Sequence, residues 1–416
     1  MKGAREAIVR SVAKIRKVKG GKFIESWQWK WEMLSPRKQL FLETAFHVTG
    51  ITLLAILMTR FVIYDFTELS AFMPMEKATD FEMSDLYNAV EENKAEHHLS
   101  QDVCVIGLDN CSREGVLDVV NTVSAYGPAA IGLDIVFPWP EQDNTYLLST
   151  LSETPGLVCV NKVQPTEDDA TRYEVVPASF YESLISPRYG HAKLVAGSTR
   201  AVVRRFYSYV LTSEGDTLLS LPAALAKTAN PARYEELLRR NTQEEIIDYT
   251  TREIPVYTAE ELLEGRLSEE ALSGKVVLLG DVNNMKDSYL TPLNGAMAGV
   301  MIHACATQTI LSASYINVTP PWINWCMGLL LCIILAALLM EARNRMSNVG
   351  SMVIRLAQVA IMYQIVVFGC KFYAEQHMYL DFSPSLLMIG LGALAFDIWF
   401  GLYGIAMFIK RKISKK

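Results

Sequence analysis

Closely spaced cysteines are missing from this chain. Its seven Cys are scattered over 416 residues, with no Cys-x-x-Cys pair and no histidine at metal-ligand spacing. That excludes zinc-ribbon and dithiol redox modules, and neither a metal nor a cofactor is expected. Catalytic signatures are missing too. There is no Gly-x-Ser-x-Gly, no His-Glu-x-x-His, no phosphate-loop sequence and no Gly-x-Gly-x-x-Gly after a strand, so the chain is not expected to be an enzyme. Positive charge is scarce over one long stretch: residues 65–321 hold 18 Lys and Arg against 37 Asp and Glu. Phosphate repulsion makes nucleic acid an unsuitable partner for such a surface. Internal repeats and low-complexity segments are also absent.

What the chain does have is four long apolar runs, at 41–64, 322–340, 352–370 and 384–409. Each approaches the 20 or so residues needed to cross a bilayer, and the second carries no charge. The basic segments alternate with them. Residues 1–38 hold 11 Lys and Arg against three Glu, the loop 341–351 holds Arg343 and Arg345, and the tail 410–416 reads Lys-Arg-Lys-Ile-Ser-Lys-Lys. Four spans put all three segments on one side, which the positive-inside rule makes cytoplasmic. The acidic stretch 65–321 then lies outside as one domain. The first run has too long a leader and no small-residue cleavage site, so it is expected to stay as an anchor. In the segment 1–40, Ala4, Ile8, Val12 and Ile15 share a helical face, and Phe23, Trp27 and Trp31 follow. A basic amphipathic helix of this kind lies on an anionic bilayer surface or docks a cytoplasmic partner.

Three polar residues lie at comparable depth inside the spans. Asp397 is about 12 residues, or roughly 18 Å, from the inner end of its run, while His47 and Gln364 are about nine residues, or roughly 14 Å, from Lys38 and Arg355. Because a lone acid in hydrocarbon is costly, His47, Gln364 and Asp397 are expected to form a polar layer in the bundle. Such a layer fixes helix register or transmits a signal; alternatively Asp397 faces a helix of another chain.

The outer domain reads as alternating strands and helices. Val103–Leu108 is a short, wholly apolar run, and Ala129–Phe137, Gly156–Val163 and Lys275–Leu279 are short, mostly apolar ones, as in parallel strands buried on both faces. Amphipathic helices are expected over 112–126, 144–152, 218–228 and 300–313. The order implies an α/β domain with a mostly parallel, doubly wound core. Asp109, Asp134 and Asp281 follow three of these strands. Acids there either cap the next helix or share a ligand site at the carboxyl edge of the sheet. Cys104 and Cys159 are read as buried thiols, or as a disulfide between neighbouring strands.

Several short motifs, in order, resemble a known family. They are Gly107-Leu108-Asp109-Asn110 with Ser112, Ala130 to Phe137, Gly190-His191, Val203-Arg204-Arg205, Leu278-Leu279-Gly280 through Asp287, Thr291-Pro292-Leu293, and Gly299 to Ala304. The domain is similar to the type-two CHASE domain, the cyclase- and histidine-kinase-associated sensory extracellular domain, over Val103 to about Ser314. One helix before and three after complete the resemblance. It implies a sensor in the bacterial cytoplasmic (inner) membrane that binds a ligand or partner outside, and it adds Asp287 and Arg204 to the candidate ligand-binding residues. Such sensors usually carry a signalling module after the last span, whereas only seven residues follow Ile409 here. The expectation is therefore a receptor subunit, working as a homo-oligomer or in a complex with a separate effector. The alternative is a non-catalytic assembly subunit of an inner-membrane complex.

Overall fold

A computed structural model describes residues 34–62, 82–92, 99–195, 202–250, 253–293, 295–345 and 348–413. The amphipathic segment expected before residue 34, and most of the polar stretch 65–100, lie outside them. In chain order the elements are α1 (Pro36–Arg60), α2 (Met83–Glu92), β1 (Val103–Gly107), α3 (Arg113–Ala125), β2 (Ala130–Leu133), α4 (Thr145–Glu153), β3 (Leu157–Pro165), β4 (Arg172–Val176), β5 (Arg188–His191), β6 (Leu194–Val195), β7 (Arg205–Tyr207), β8 (Tyr209–Thr212), β9 (Thr217–Leu219), α5 (Leu221–Ala229) and α6 (Pro231–Arg240). They continue with β10 (Glu244–Ile246), β11 (Val256–Thr258), α7 (Ala259–Leu263), α8 (Glu269–Leu272), β12 (Val276–Gly280), β13 (Ser288–Leu290), β14 (Ala296–Ala298), α9 (Gly299–Ser312), β15 (Asn317–Val318), α10 (Pro321–Arg345), α11 (Asn348–Gln376), β16 (Met378–Tyr379) and α12 (Ser383–Ile413). Two compact units result. One comprises 1–79, 319–369 and 380–416, the other 80–318 with 370–379.

In the second unit, β1, β12, β2 and β3 run parallel in the order β11-β1-β12-β2-β3. Side chains alternate between the two faces of each strand. Val103 and Val105 of β1, Leu278 of β12 and Val158 of β3 therefore join α5 and α9 in one apolar cluster. Cys104 and Ile106, with Leu279 and Leu133, face α3, α4 and α7 in a second cluster. Helix α3 shows why a helix forms there. Ser112 caps it by accepting from the Gly115 N–H, and Val116, Leu117, Val119, Val120 and Val123 make one buried stripe. Burying each such side chain contributes about 1.5–3 kcal/mol before entropy is counted.

The expected strand at Ala129–Phe137 is shorter, ending at Leu133. The chain leaves the sheet there because Phe137 turns to pack beside Tyr181 and its N–H is taken by Ser179 Oγ. Of the two readings of Cys104 and Cys159, buried thiols is the one the structure supports. Strands β12 and β2 lie between β1 and β3, so the two sulfurs sit about 14 Å apart by strand spacing, and both thiols are free. Burial pushes both up to about 12.

Four helices in the chain are long and apolar enough to cross a membrane: Pro36–Arg60, Pro321–Asn344, Met352–Gln376 and Ser383–Ile409. Within the first unit, α10 and α12 run side by side. A methyl group on Gly328 would lie 2.8 Å from Ser385 Cα, and Arg343 stacks 3.7 Å from the Phe400 ring centre. Arg343 is near the end of α10, so Asp397, less than one turn before Phe400, is level with that end rather than mid-bundle.

This placement corrects the expected polar layer. Asp397 accepts two hydrogen bonds from Arg355 Nη2 at 2.9 and 2.7 Å. His47 is buried elsewhere at nearly the same level, where its Nδ1 accepts from Trp399 Nε1 at 3.0 Å and its ring packs on Phe400 and Tyr403. Gln364 is exposed at a groove with Met327, Ile361 and Phe382. The three side chains share no partner.

Removing one partner leaves the other charge without its counter-ion, whereas removing both leaves no charge to stabilise. Arg355→Ala and Asp397→Ala are each expected to lower the thermal midpoint in lipid bicelles more than the double substitution does. Additive losses in that cycle would show that the pair is not energetically coupled.

Candidate functional site

The parallel register dictates what gathers at the carboxyl edge of the sheet. Gly107 is level with Gly280, and Leu279 with Leu133. Asp109, Asp281 and Asp134 therefore follow three adjacent strands, the outer two about 10 Å apart. They play different parts. Asp109 accepts from the backbone N–H groups of Asn283 (2.8 Å) and Val282 (3.4 Å), tying the loop after β12 to the loop after β1. Asp134 turns toward α9: a methyl on Gly280 would lie 2.9 Å from Val300 and 3.4 Å from Asp134 Cβ.

Asp287 completes the group. A methyl on Gly299, the first residue of α9, would lie 2.8 Å from its Oδ2, so glycine lets the carboxylate sit at that helix end. A carboxylate is favoured there by the helix dipole. Tyr289 Oη donates to its Oδ1 at 3.1 Å. Burial, followed by Asp287 and Asp281, pushes Asp134 from 3.8 to about 7. Asp287 is also raised, first by burial and then by Asp281, against the Tyr289 hydrogen bond and Lys162. The arrangement thus holds a carboxyl group that is half protonated near neutrality beside two other carboxyl groups. It can donate a hydrogen bond as well as attract a cation. Among the described residues no set of three or more His, Cys, Asp or Glu could hold a metal ion.

Arg204 is committed elsewhere. Its Nε and Nη2 donate to Asp85 Oδ1 and Oδ2, both at 2.7 Å, and its side chain is 5 % exposed. Arg205 makes a matching pair with Glu82 at 3.0 and 2.9 Å. These two forks clamp the start of α2. Further along the same helix, Asn88 Nδ2 donates to Tyr373 Oη at 3.1 Å. Sequence reasoning missed Glu82 and Asp85. Their three-residue spacing matches a helix face opposite two adjacent arginines, but nothing in the sequence reveals that 119 residues of chain fold back to join Asp85 to Arg204.

A second polar group lies at the end of β5. Gly190 is needed there, since a methyl would lie 2.6 Å from Leu221 Cα. The next residue, His191, is fully buried with neither ring nitrogen hydrogen-bonded. His303 of α9 is buried too, bonded to the Ala192 backbone, with Nδ1 unpartnered. Burial, then the neighbouring His303 and Lys193, pushes His191 down to about 3; burial pushes His303 down to about 4.

These shifts give two opposite pH dependences. The folded state holds Asp134 protonated at higher pH than the unfolded chain does, so this contribution is present below about pH 4 and is lost as pH rises through about 7. Relative to the native chain, Asp134→Asn should therefore gain thermal stability as pH rises across that window; a pH-independent difference would disprove the raised carboxyl. The histidines act the other way. They charge in the unfolded chain near pH 6.5 but resist charging when folded, so stability falls as pH drops below that value. Thermal melts of His191→Phe are expected to lose part of this acid slope, and an unchanged slope would mean that His191 titrates normally.

The CHASE2 domain model matches residues 89–340, from the last turns of α2 to the end of the second span, well over half of the chain. No curated protein and no solved structure matches it. The matched segment contains the whole parallel sheet, the strand-end acids, the arginine pair and the buried histidines, and four helices suited to a bilayer flank it or close it. A membrane protein with an extracytoplasmic sensory domain is what these observations describe, and the chain belongs to the CHASE2 domain family.

Proposed function

We propose that this protein is a sensor or receptor subunit of the bacterial cytoplasmic membrane. It binds a ligand or partner outside and passes the signal to a separate effector in the membrane or cytoplasm. The observation that carries this reading is the CHASE2 match over an α/β domain with membrane helices on both sides. Helices over both faces of the parallel sheet support reading the core as doubly wound, with its ligand crevice at the carboxyl ends of the strands. Asp109, Asp134, Asp281 and Asp287 line that edge. Asp109 organises the loops, and the other three present charge and one dissociable proton. Arg204 serves the site indirectly by fixing α2 against the domain. The role is binding rather than catalysis. In support, His191 and His303 are buried, and neither ring nitrogen of His191 is hydrogen-bonded.

The basic segments support an orientation with both termini in the cytoplasm. Reporter fusions should read outside at residues 200 and 377 and inside at 20, 346 and 414; a cytoplasmic signal at residue 200 would end the model. The receptor role is tested by purifying the full chain in mild detergent and identifying what co-purifies. A small molecule or an effector retained by the native chain and lost from Asp281→Asn supports it. Identical contents in both preparations would refute a role for the strand-end acids.

A further inference from the structure

Charge is divided unevenly between the two helix layers of the sensory domain. From Val103 to Asn161 the chain has one basic residue, Arg113, against seven Asp and Glu, and from Ala259 to Leu272 one, Arg266, against five Glu. These stretches supply α3, α4, α7 and α8, the helices over the second apolar cluster. Both basic residues are already paired, Arg113 with Glu141 at 3.1 Å and Arg266 with Glu260 and Glu264. On the opposite face, α5 and α6 carry Lys227, Arg233, Arg239 and Arg240 against two Glu.

At the edge of the acidic layer the chain presents a tryptophan. Trp139 is 75 % exposed, on the Pro138-Trp139-Pro140 loop after β2. The loop is braced from beneath. Arg113 Nη2 donates to the Trp139 carbonyl at 2.6 Å, and its guanidinium lies over the rings of Phe137 and Phe180. Asn144 closes the far side, accepting from the Glu141 N–H at 3.0 Å and donating to its carbonyl at 2.8 Å. The backbone is thus fixed while the indole is left uncovered. Exposed Glu114 and Asp118 belong to α3, and exposed Glu141 and Asp143 to this loop.

We propose that this face is a docking surface for a Lys/Arg-rich segment of a partner protein. Trp139 would stack on a guanidinium or ammonium group while the surrounding carboxylates take the neighbouring charges. Three features select that occupant. An aromatic face attracts cations, an aromatic on a pre-ordered loop loses little entropy when covered, and the two basic side chains on α3 and the segment of α7 and α8 are already paired with carboxylates. An anionic lipid surface would be repelled by the same carboxylates. The proposal rests on the receptor reading only for the side of the membrane on which the partner is met.

The test uses the full chain in detergent and three fluorescent ten-residue peptides: one of alternating Arg and Ser, one of Glu and Ser, and one of Gly and Ser. The basic peptide should bind, and more weakly as salt rises, because exposed charges are screened. Trp139→Ala and the triple variant Glu114→Gln/Asp118→Asn/Asp143→Asn should each weaken it by about tenfold or more, Trp139→Phe by less. Glu235→Gln on α6 should leave it unchanged. Binding that falls with salt but ignores Trp139→Ala would reduce the effect to unspecific attraction and overturn the proposal. So would equal binding of all three peptides. Asp281→Asn separates the two readings: it is expected to disturb the strand-end site while leaving peptide binding intact, so either can fail without the other.

Discussion

The sensory domain depends on the insertion of β12 between β1 and β2. Those two strands are close in sequence, yet a strand some 150 residues further on lies between them, in register with both. All three are apolar on both faces, so no other position in the chain buries them as well. That burial supplies two hydrophobic clusters at once and sets the level at which every strand ends. The strand-end acids follow from it. Asp281 can lie between Asp109 and Asp134 only because β12 does, and Asp287 reaches α9 because the loop after β12 is held by Asp109.

Local patterning in the sequence is sufficient for the elements of this core. The continuous apolar runs mark the strands to within a few residues, and the capped amphipathic stripe marks α3. Partnership between distant segments is not legible in the same way. Cys104 and Cys159 look like neighbours when strands are counted in chain order, and the late strand separates them further. Arg204 looks like a counter-ion for the strand-end acids because it is basic and part of the family pattern. A buried guanidinium requires a partner with matching geometry, and Asp85 provides both oxygens from a helix at the start of the domain. The acids were therefore readable as positions, whereas their roles depend on which backbone or side chain each one meets.

The membrane unit fails a depth argument for a related reason. Counting residues from the nearest charge assumes that all helices end in one plane. Here Arg343, near the end of α10, stacks on Phe400, and α12 runs a further 13 residues to Ile413. Arg355 had been counted as the flank of its span. It meets Asp397 because the start of α11 is level with the interior of α12. Two charges that each look costly on their own helix become one ion pair, and His47 finds an indole N–H instead.

The domain also keeps polar groups where stability alone gives no reason for them. Asp134 stands beside two other carboxyl groups, and His191 is sealed in with neither nitrogen hydrogen-bonded. Each arrangement opposes the charged form of its own residue, and apolar side chains of similar size would avoid the penalty. The central strands are buried deeply enough to tolerate both. Asp134 and His303 lie toward α9, at the first and second turns of one helix, and β5 brings His191 beside His303. A displacement of α9 would change the environment of all three groups together. His303 is one turn along α9 from Gly299, so that one helix packs against both the carboxylate at the sheet edge and the buried histidine pair.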